Sequence, residues 1–308
     1  MQLSRRAPSV LGAALAVCLG AASARAQGRA DSRGDSSPAA PIHAGNASAA
    51  AAISPSGAVL GPDAIRRLKS GDAAQIKLGL DDVRVAGRAG ASAVPAIAQL
   101  LREGLSPTLV QAALETLGDT ESEAATEIVA WYARHRNLAL RRTAVDALAK
   151  TGGPGAARAL RAALSDLDPG VRGTAATALG GMKAHEAIGD LFAALDRNVP
   201  EAAVSIGMLC ADAECDRLAE KLGHLPFDVV TTGLDEVLLR PPSEVTDDLK
   251  VKIVGRLREL GTAEVHHFLK RVAARWPARG SKRVRVSIDQ GVLATASSPG
   301  SDGSEVAP

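Results

Sequence analysis

Between residues 63 and 196 the apolar positions repeat on two scales. Over short segments they fall at i, i+3 and i+7, the one-sided stripe of a helix that packs along a single face. The stripes are Val94, Ile97 and Leu101; Ala125, Ile128 and Tyr132; Ala157, Leu160 and Leu164; and Ile188, Leu191 and Leu195. Between segments a second register repeats every 31 residues (171 − 140). From Val171 the step reaches Leu140, Leu109 and Leu78, and from Leu179 it reaches Leu148, Leu117 and Ala86. Ala176 maps in the same way to Val145, Leu114 and Val83, and Gly180 to Ala149, Gly118 and Gly87. Each unit holds two helical stripes and is too small to bury both alone, so neighbouring units must cover one another.

Turn signals divide the two stripes of each unit. Gly104 with Ser106-Pro107, Gly152-Gly153-Pro154 and Asp168-Pro169-Gly170 stop one helix and start the next. Pro95 and Pro154 fall near helix starts, where the missing amide hydrogen is not needed. Turns this short force successive helices to run antiparallel. The predicted fold is all-α: an α-solenoid of about six stacked antiparallel helix pairs spanning residues 61–277.

Strict register ends after Arg197, but helical spacing continues. Ala203 to Leu209, Leu218 to Leu222, the set Val230, Leu234, Val237 and Leu238, and the set Val254, Leu257 and Leu260 predict further helices, as do Val265, Phe268, Leu269 and Val272. Residues 278–308 are expected to be a tail, basic at first and then disordered. Within it Lys282 to Ile288 alternates basic and apolar residues, as in a single strand or an extended segment.

Upstream, residues 1–26 have the form of an export signal, with Arg5 and Arg6, a short apolar core from Val10 to Ala22, and Ala24-Arg25-Ala26 for cleavage. The core is shorter than the roughly 20 residues that a spanning helix needs. The pattern implies an exported protein, periplasmic or secreted, with no transmembrane span once the signal is removed. Both the general and the twin-arginine routes remain open. Residues 27–60 are rich in Ala, Ser, Gly and Pro without an apolar face and are expected to be a disordered linker.

The stretch Asp-Pro-Gly-Val-Arg from Asp168 to Arg172, followed by Ala-Ala-Thr-Ala-Leu-Gly from Ala175 to Gly180, resembles the short HEAT repeat of the phycobilin-lyase type. The resemblance implies a superhelical scaffold or adaptor that binds a protein partner on the inner row formed by the second helices. It also implies an acidic turn residue and a basic second-helix residue pairing along the stack, positions held here by Asp166 and Arg172. In the preceding repeat His135 and Arg141 stand at those places, so the ladder is expected to be broken.

Composition narrows the chemistry. Aromatic residues are 2% of the 308, and the formal net charge of +2 gives no global reason to expect nucleic acid. No His-Glu-x-x-His, Gly-x-Ser-x-Gly or phosphate-loop motif is present, so no catalytic residue, metal or cofactor is expected. Candidate partner-binding residues lie near the starts of the second helices: Gln111, Arg141, Arg142, Arg172 and Thr174. Trp131 joins them because it sits one position off the packed stripe.

Cys210 and Cys215 flank a predicted turn and form a disulfide candidate in an exported chain. The alternative function is polyanion binding, to an acidic polymer or a lipid head group, through Lys270, Arg271, Arg275, Arg279, Lys282, Arg283 and Arg285, since Val265 to Ile288 contains no Asp or Glu. A lyase-like, tetrapyrrole-handling role is a further alternative that rests on the resemblance alone.

Overall fold

The computed structural model describes residues 60–296; the export signal expected at residues 1–26, the linker expected at 27–60 except Leu60, and the segment from Ser297 onward lie outside the described residues. Among these residues are fifteen α-helices. The first eight are α1 (Pro62–Leu68), α2 (Ala73–Ala86), α3 (Val94–Glu103), α4 (Pro107–Asp119), α5 (Thr126–Tyr132), α6 (Leu138–Thr151), α7 (Gly153–Ala163) and α8 (Pro169–Gly181). They are followed by α9 (Ile188–Leu195), α10 (Glu201–Leu209), α11 (Asp212–Ala219), α12 (Phe227–Leu239), α13 (Asp247–Leu260), α14 (Ala263–Arg275) and α15 (Lys282–Thr295).

Even-numbered helices from α2 to α12 touch in succession and form one row, while the odd-numbered helices form the other. The chain is therefore an α-solenoid of six helix pairs, closed at its C-terminal end by α13, α14 and α15. The repeat registers explain the core. Leu114, Val145 and Ala176, one per unit, are fully buried, as are Leu117, Leu148 and Leu179. Burial of this kind, at about 25 cal/mol per Å² of apolar surface, is what holds a unit to its neighbour. The register weakens at the N-terminal end: Leu78 is 47% exposed, and Ile76, Leu80 and Val83 carry the core of α2 instead.

Helix ends follow local chemistry. Asn137 caps α6 by accepting from the Ala139 amide at 2.9 Å, and Asp168 caps α8 by accepting from Val171 at 3.0 Å. At the end of α13, Gly261 takes the left-handed conformation, φ 60°, that side chains disfavour.

The second-helix row is held close by small residues at its crossings. A methyl group placed on Gly118 would come within 2.9 Å of the Ala147 Cα, and one on Gly180 within 2.8 Å of the Ser205 Cβ. At the α10 and α12 crossing a methyl on Gly233 would overlap the Ala203 carbonyl, and one on Gly207 would overlap the Gly233 carbonyl. Ser205 adds a hydroxyl donated to the Ala176 carbonyl at 2.8 Å.

The expected extended segment at Lys282 to Ile288 is instead the first half of α15. Val284 and Ile288 are four residues apart and both fully buried, whereas Val286 between them is 53% exposed. Helical spacing of two apolar residues thus prevails over the apparent alternation, and α15 packs on both α13 and α14. The tail predicted for residues 278–308 accordingly contains an ordered helix, capped by the Ser281 hydroxyl.

Candidate protein-binding surface

Three of the arginines predicted to face a partner hold the solenoid's own turns. Arg141 on α6 donates two parallel hydrogen bonds to the Asp166 carboxylate in the next turn, at 2.8 and 2.9 Å, with both side chains largely buried. It also donates to the carbonyls of His135 and Arg136. One repeat on, Arg172 donates in the same way to the carbonyls of Asp166 and Leu167, at 2.9 and 3.0 Å. Arg142 binds both carboxylate oxygens of Asp168.

The ladder therefore runs from one repeat to the next through Arg141 and Asp166, and the histidine at 135 contributes its main-chain oxygen. At the position 31 beyond Asp166 stands Arg197 (166 + 31), so the ladder ends there. Burial raises the proton affinity of Asp166, but the Arg141 guanidinium and the Asp168 amide outweigh it and hold its pKa below the ordinary carboxylate value.

Of the other candidates on that row, Gln111 is exposed and donates to Glu115 within α4 at 3.1 Å, while Thr174 is half-buried. A second set of rungs lies nearby, where the Asp119 carboxylate takes Arg84 on one side at 3.2 Å and Lys150 on the other at 2.8 Å.

Trp131 lies on the other row, at the end of α5, and is 63% exposed. Its neighbour Tyr132 turns inward, where its hydroxyl donates to the Leu101 carbonyl at 3.2 Å and ties α5 to α3. The Tyr132 ring stacks on His135, and Trp131 meets Tyr132 edge-on at 4.8 Å between centroids.

Three adjoining hollows run across this helix. The first, about 390 Å³, lies between Leu101, Arg102, Ile128 and Trp131. The second, about 660 Å³, shares Glu127 and Trp131 with the first and continues over Arg134 and Arg136. The third, about 480 Å³, is floored by Ala130, Ala133, Ala159, Ala162 and Ala163 and ends at Leu167. Alanine on both facing helices leaves this trench open, because no longer side chain fills the gap between α5 and α7. Leu167 at its end is 94% exposed.

Neither Leu167 nor Arg102, Arg134 and Arg136 stands out from the repeat periodicity. The signal for Leu167 is an apolar residue lodged inside the acidic turn Asp166-Leu167-Asp168.

Elsewhere, Cys210 and Cys215 are joined by a disulfide, with Cα atoms 5.2 Å apart across the α10 to α11 turn. The basic C-terminal segment is partly neutralised by carboxylates, two of them distant in sequence. Arg275 pairs with Asp235 of α12, Arg283 with Asp248 of α13, and Arg285 with Asp289 within α15. Arg271 lies over the Phe268 ring at 5.7 Å, and Lys270, Arg279 and Lys282 are exposed. Among the described residues no cluster of His, Cys, Asp and Glu is placed to hold a metal, and no helix is long and apolar enough to cross a membrane.

Comparison with known proteins identifies the repeat. The HEAT-repeat family matches residues 94–166 and again residues 127–209. Among curated proteins none matches the chain. Similar solved structures include the complex of CpcE and CpcF of phycocyanin lyase from Nostoc sp. PCC7120, at 17% identity and TM-score 0.39, covering 75% of this chain and 93% of that one. A designed armadillo repeat protein in complex with the peptide (KR)4 is similar at 15% identity and TM-score 0.38, covering 76% of this chain and 98% of that one. An engineered protein is similar at 17% identity and TM-score 0.42, covering 77% and 68%.

Proposed function

We propose, from a chain whose residues 94–209 are HEAT repeats, that it is a non-catalytic scaffold of the cell envelope which holds a protein partner. The observation that carries this reading is Trp131, 63% exposed beside a groove that its own chain leaves unfilled. Tryptophan is the residue most enriched among the few that dominate binding energy at interfaces, and it does so where a pocket adjoins it. The binding face is therefore assigned to the first-helix row around α5. The second-helix row offers Gln111 and Thr174, but its arginines are engaged with turns.

Two observations support an envelope or secreted location. One is the export-signal pattern of residues 1–26, and the other is the Cys210–Cys215 bond, which endures in oxidising compartments. Polyanion binding through the basic segment has less support, because Asp235, Asp248 and Asp289 each hold one of its arginines.

The test places a photo-crosslinking residue at position 131 of the full chain, expressed in its own cell, with a second at Val85, a still more accessible apolar position on α2 (83% exposed). The expected result is a discrete adduct from position 131 in the envelope or secreted fraction and none from position 85. No adduct at 131, or the same adducts at both positions, refutes the reading.

A further inference from the structure

We propose that the trench across α5 takes an acidic peptide segment carrying a bulky apolar side chain; this rests on the scaffold reading above and names the chemistry of the partner. The argument starts from shape. Trp131 lines the first two hollows, and Leu167, almost wholly in water, lines the third. Between them the floor is alanine from α5 and α7, which offers apolar surface and free volume but no bulk of its own. A ligand must supply that bulk, and a leucine or phenylalanine side chain has the right size and polarity.

Charge selects the rest of the ligand. Arg102, Arg134 and Arg136 line the hollows, are exposed and have no carboxylate partner among the described residues, while Arg141 beside them is already committed to Asp166. Glu127 is the one carboxylate in the trench that Arg141 does not hold. Three free guanidiniums against one carboxylate make a locally positive groove on a chain whose net charge is only +2. Carboxylates fit guanidiniums with two parallel hydrogen bonds, so Asp and Glu flanking an apolar anchor match both features of the site. A nucleic acid or a bare polyanion would satisfy the arginines and leave the alanine floor and Leu167 uncovered.

The experiment measures fluorescence polarisation of a labelled short peptide of Asp, Glu, Leu and Phe against the full mature chain. Three control peptides change one property each: Gln for the acids, Lys for the acids, and an oligoglutamate without apolar residues. The acidic apolar peptide is expected to bind at least about tenfold more tightly than any control at low salt and to weaken as salt rises. Trp131→Ala is expected to weaken it about 30-fold, the loss typical of an interface anchor. Leu167→Ser provides a second anchor test at a site where folding is not at stake, and the pair Arg134→Glu with Arg136→Glu is expected to transfer preference to the Lys peptide.

Equal binding of the Gln peptide, of oligoglutamate or of a single-stranded oligonucleotide overturns the proposal. So does unchanged affinity in both anchor variants. The scaffold reading fails separately: an adduct at position 131 that persists in the Arg134→Glu, Arg136→Glu chain keeps the scaffold and removes the acidic peptide, whereas no adduct at all removes both.

Discussion

The glycine at position 233 is the most exacting test of how the second-helix row is built. Replacing it with alanine sets two effects against each other. Alanine is the better helix former by about 1 kcal/mol, and in the middle of α12 that gain would be realised in full. Against it, the new methyl would overlap the Ala203 carbonyl of α10 and lie 2.8 Å from a Leu218 methyl. The first of these obstacles is main chain and cannot swing aside, so α10 and α12 must separate, and overpacking of this kind costs about 1–3 kcal/mol. With the collision at the upper end of that range, Gly233→Ala is expected to lose about 2 kcal/mol net.

The control is Gly255→Ala in α13, where the methyl meets nothing within 4 Å and only the propensity acts, for a gain of about 0.5–1 kcal/mol. Urea denaturation followed by circular dichroism reads both, compared by midpoint because repeat arrays need not unfold in one step. The reasoning is refuted if Gly233→Ala unfolds at or above the wild-type midpoint, or if the two variants shift together.

Other expectations follow from the turns. Asp166→Asn removes the charge that Arg141 grips and should cost about 1.5–3 kcal/mol near neutral pH, since the pair is largely buried and doubly hydrogen-bonded. Because the folded pKa of Asp166 lies below its unfolded value of about 3.9, this stability is present above that value and is lost as pH falls through the folded pKa; acid titration of the variant should lack that component. Breaking the Cys210–Cys215 bond by Cys210→Ser with Cys215→Ser, or by reductant, should lower stability by about 2 kcal/mol, the loop-entropy value for so short a closure, and thiol titration of the untreated protein should find neither cysteine free. Tyr132→Phe should cost about 1 kcal/mol by removing the hydrogen bond to Leu101 between α5 and α3, visible in thermal melts. Trp131→Ala, by contrast, should leave the melting temperature within a degree or so, since its ring stands mostly in water.

How much of this could be read beforehand depends on how each feature is encoded. Stripes such as Val94, Ile97 and Leu101 repeat at fixed spacing, so their burial was legible, as was the pairing of helices through turns such as Asp168-Pro169-Gly170. Leu78 obeyed the 31-residue step yet lies outside the core, because among the described residues no earlier unit covers that face.

At the other end, Val284, Val286 and Ile288 fit two periods at once, and only packing on α13 and α14 decides for a helix. Arg141, Arg142 and Arg172 were placed on the correct helices, but what they reach is fixed by the path of the neighbouring turn, which local sequence does not specify. The trench is hidden for a related reason. Alanines at 130, 133, 159, 162 and 163 are unremarkable singly and become a void only when two helices from different repeats face one another. Trp131 was identifiable by its offset from the stripe, and Leu167 by its polar company.

The last of the described helices also covers one face of the stack. A column of like units offers a sticky ledge at its final layer, and nothing in the repeat itself prevents another column from settling there. Here Val284 and Ile288 lie on that ledge as a lid. Cutting the chain before Lys282 to remove its basic residues would therefore do more than discharge it: the shortened protein should uncover the apolar face of α13 and α14 and self-associate, as light scattering would read. Its charge has to be studied by single replacements, with the lid left in place.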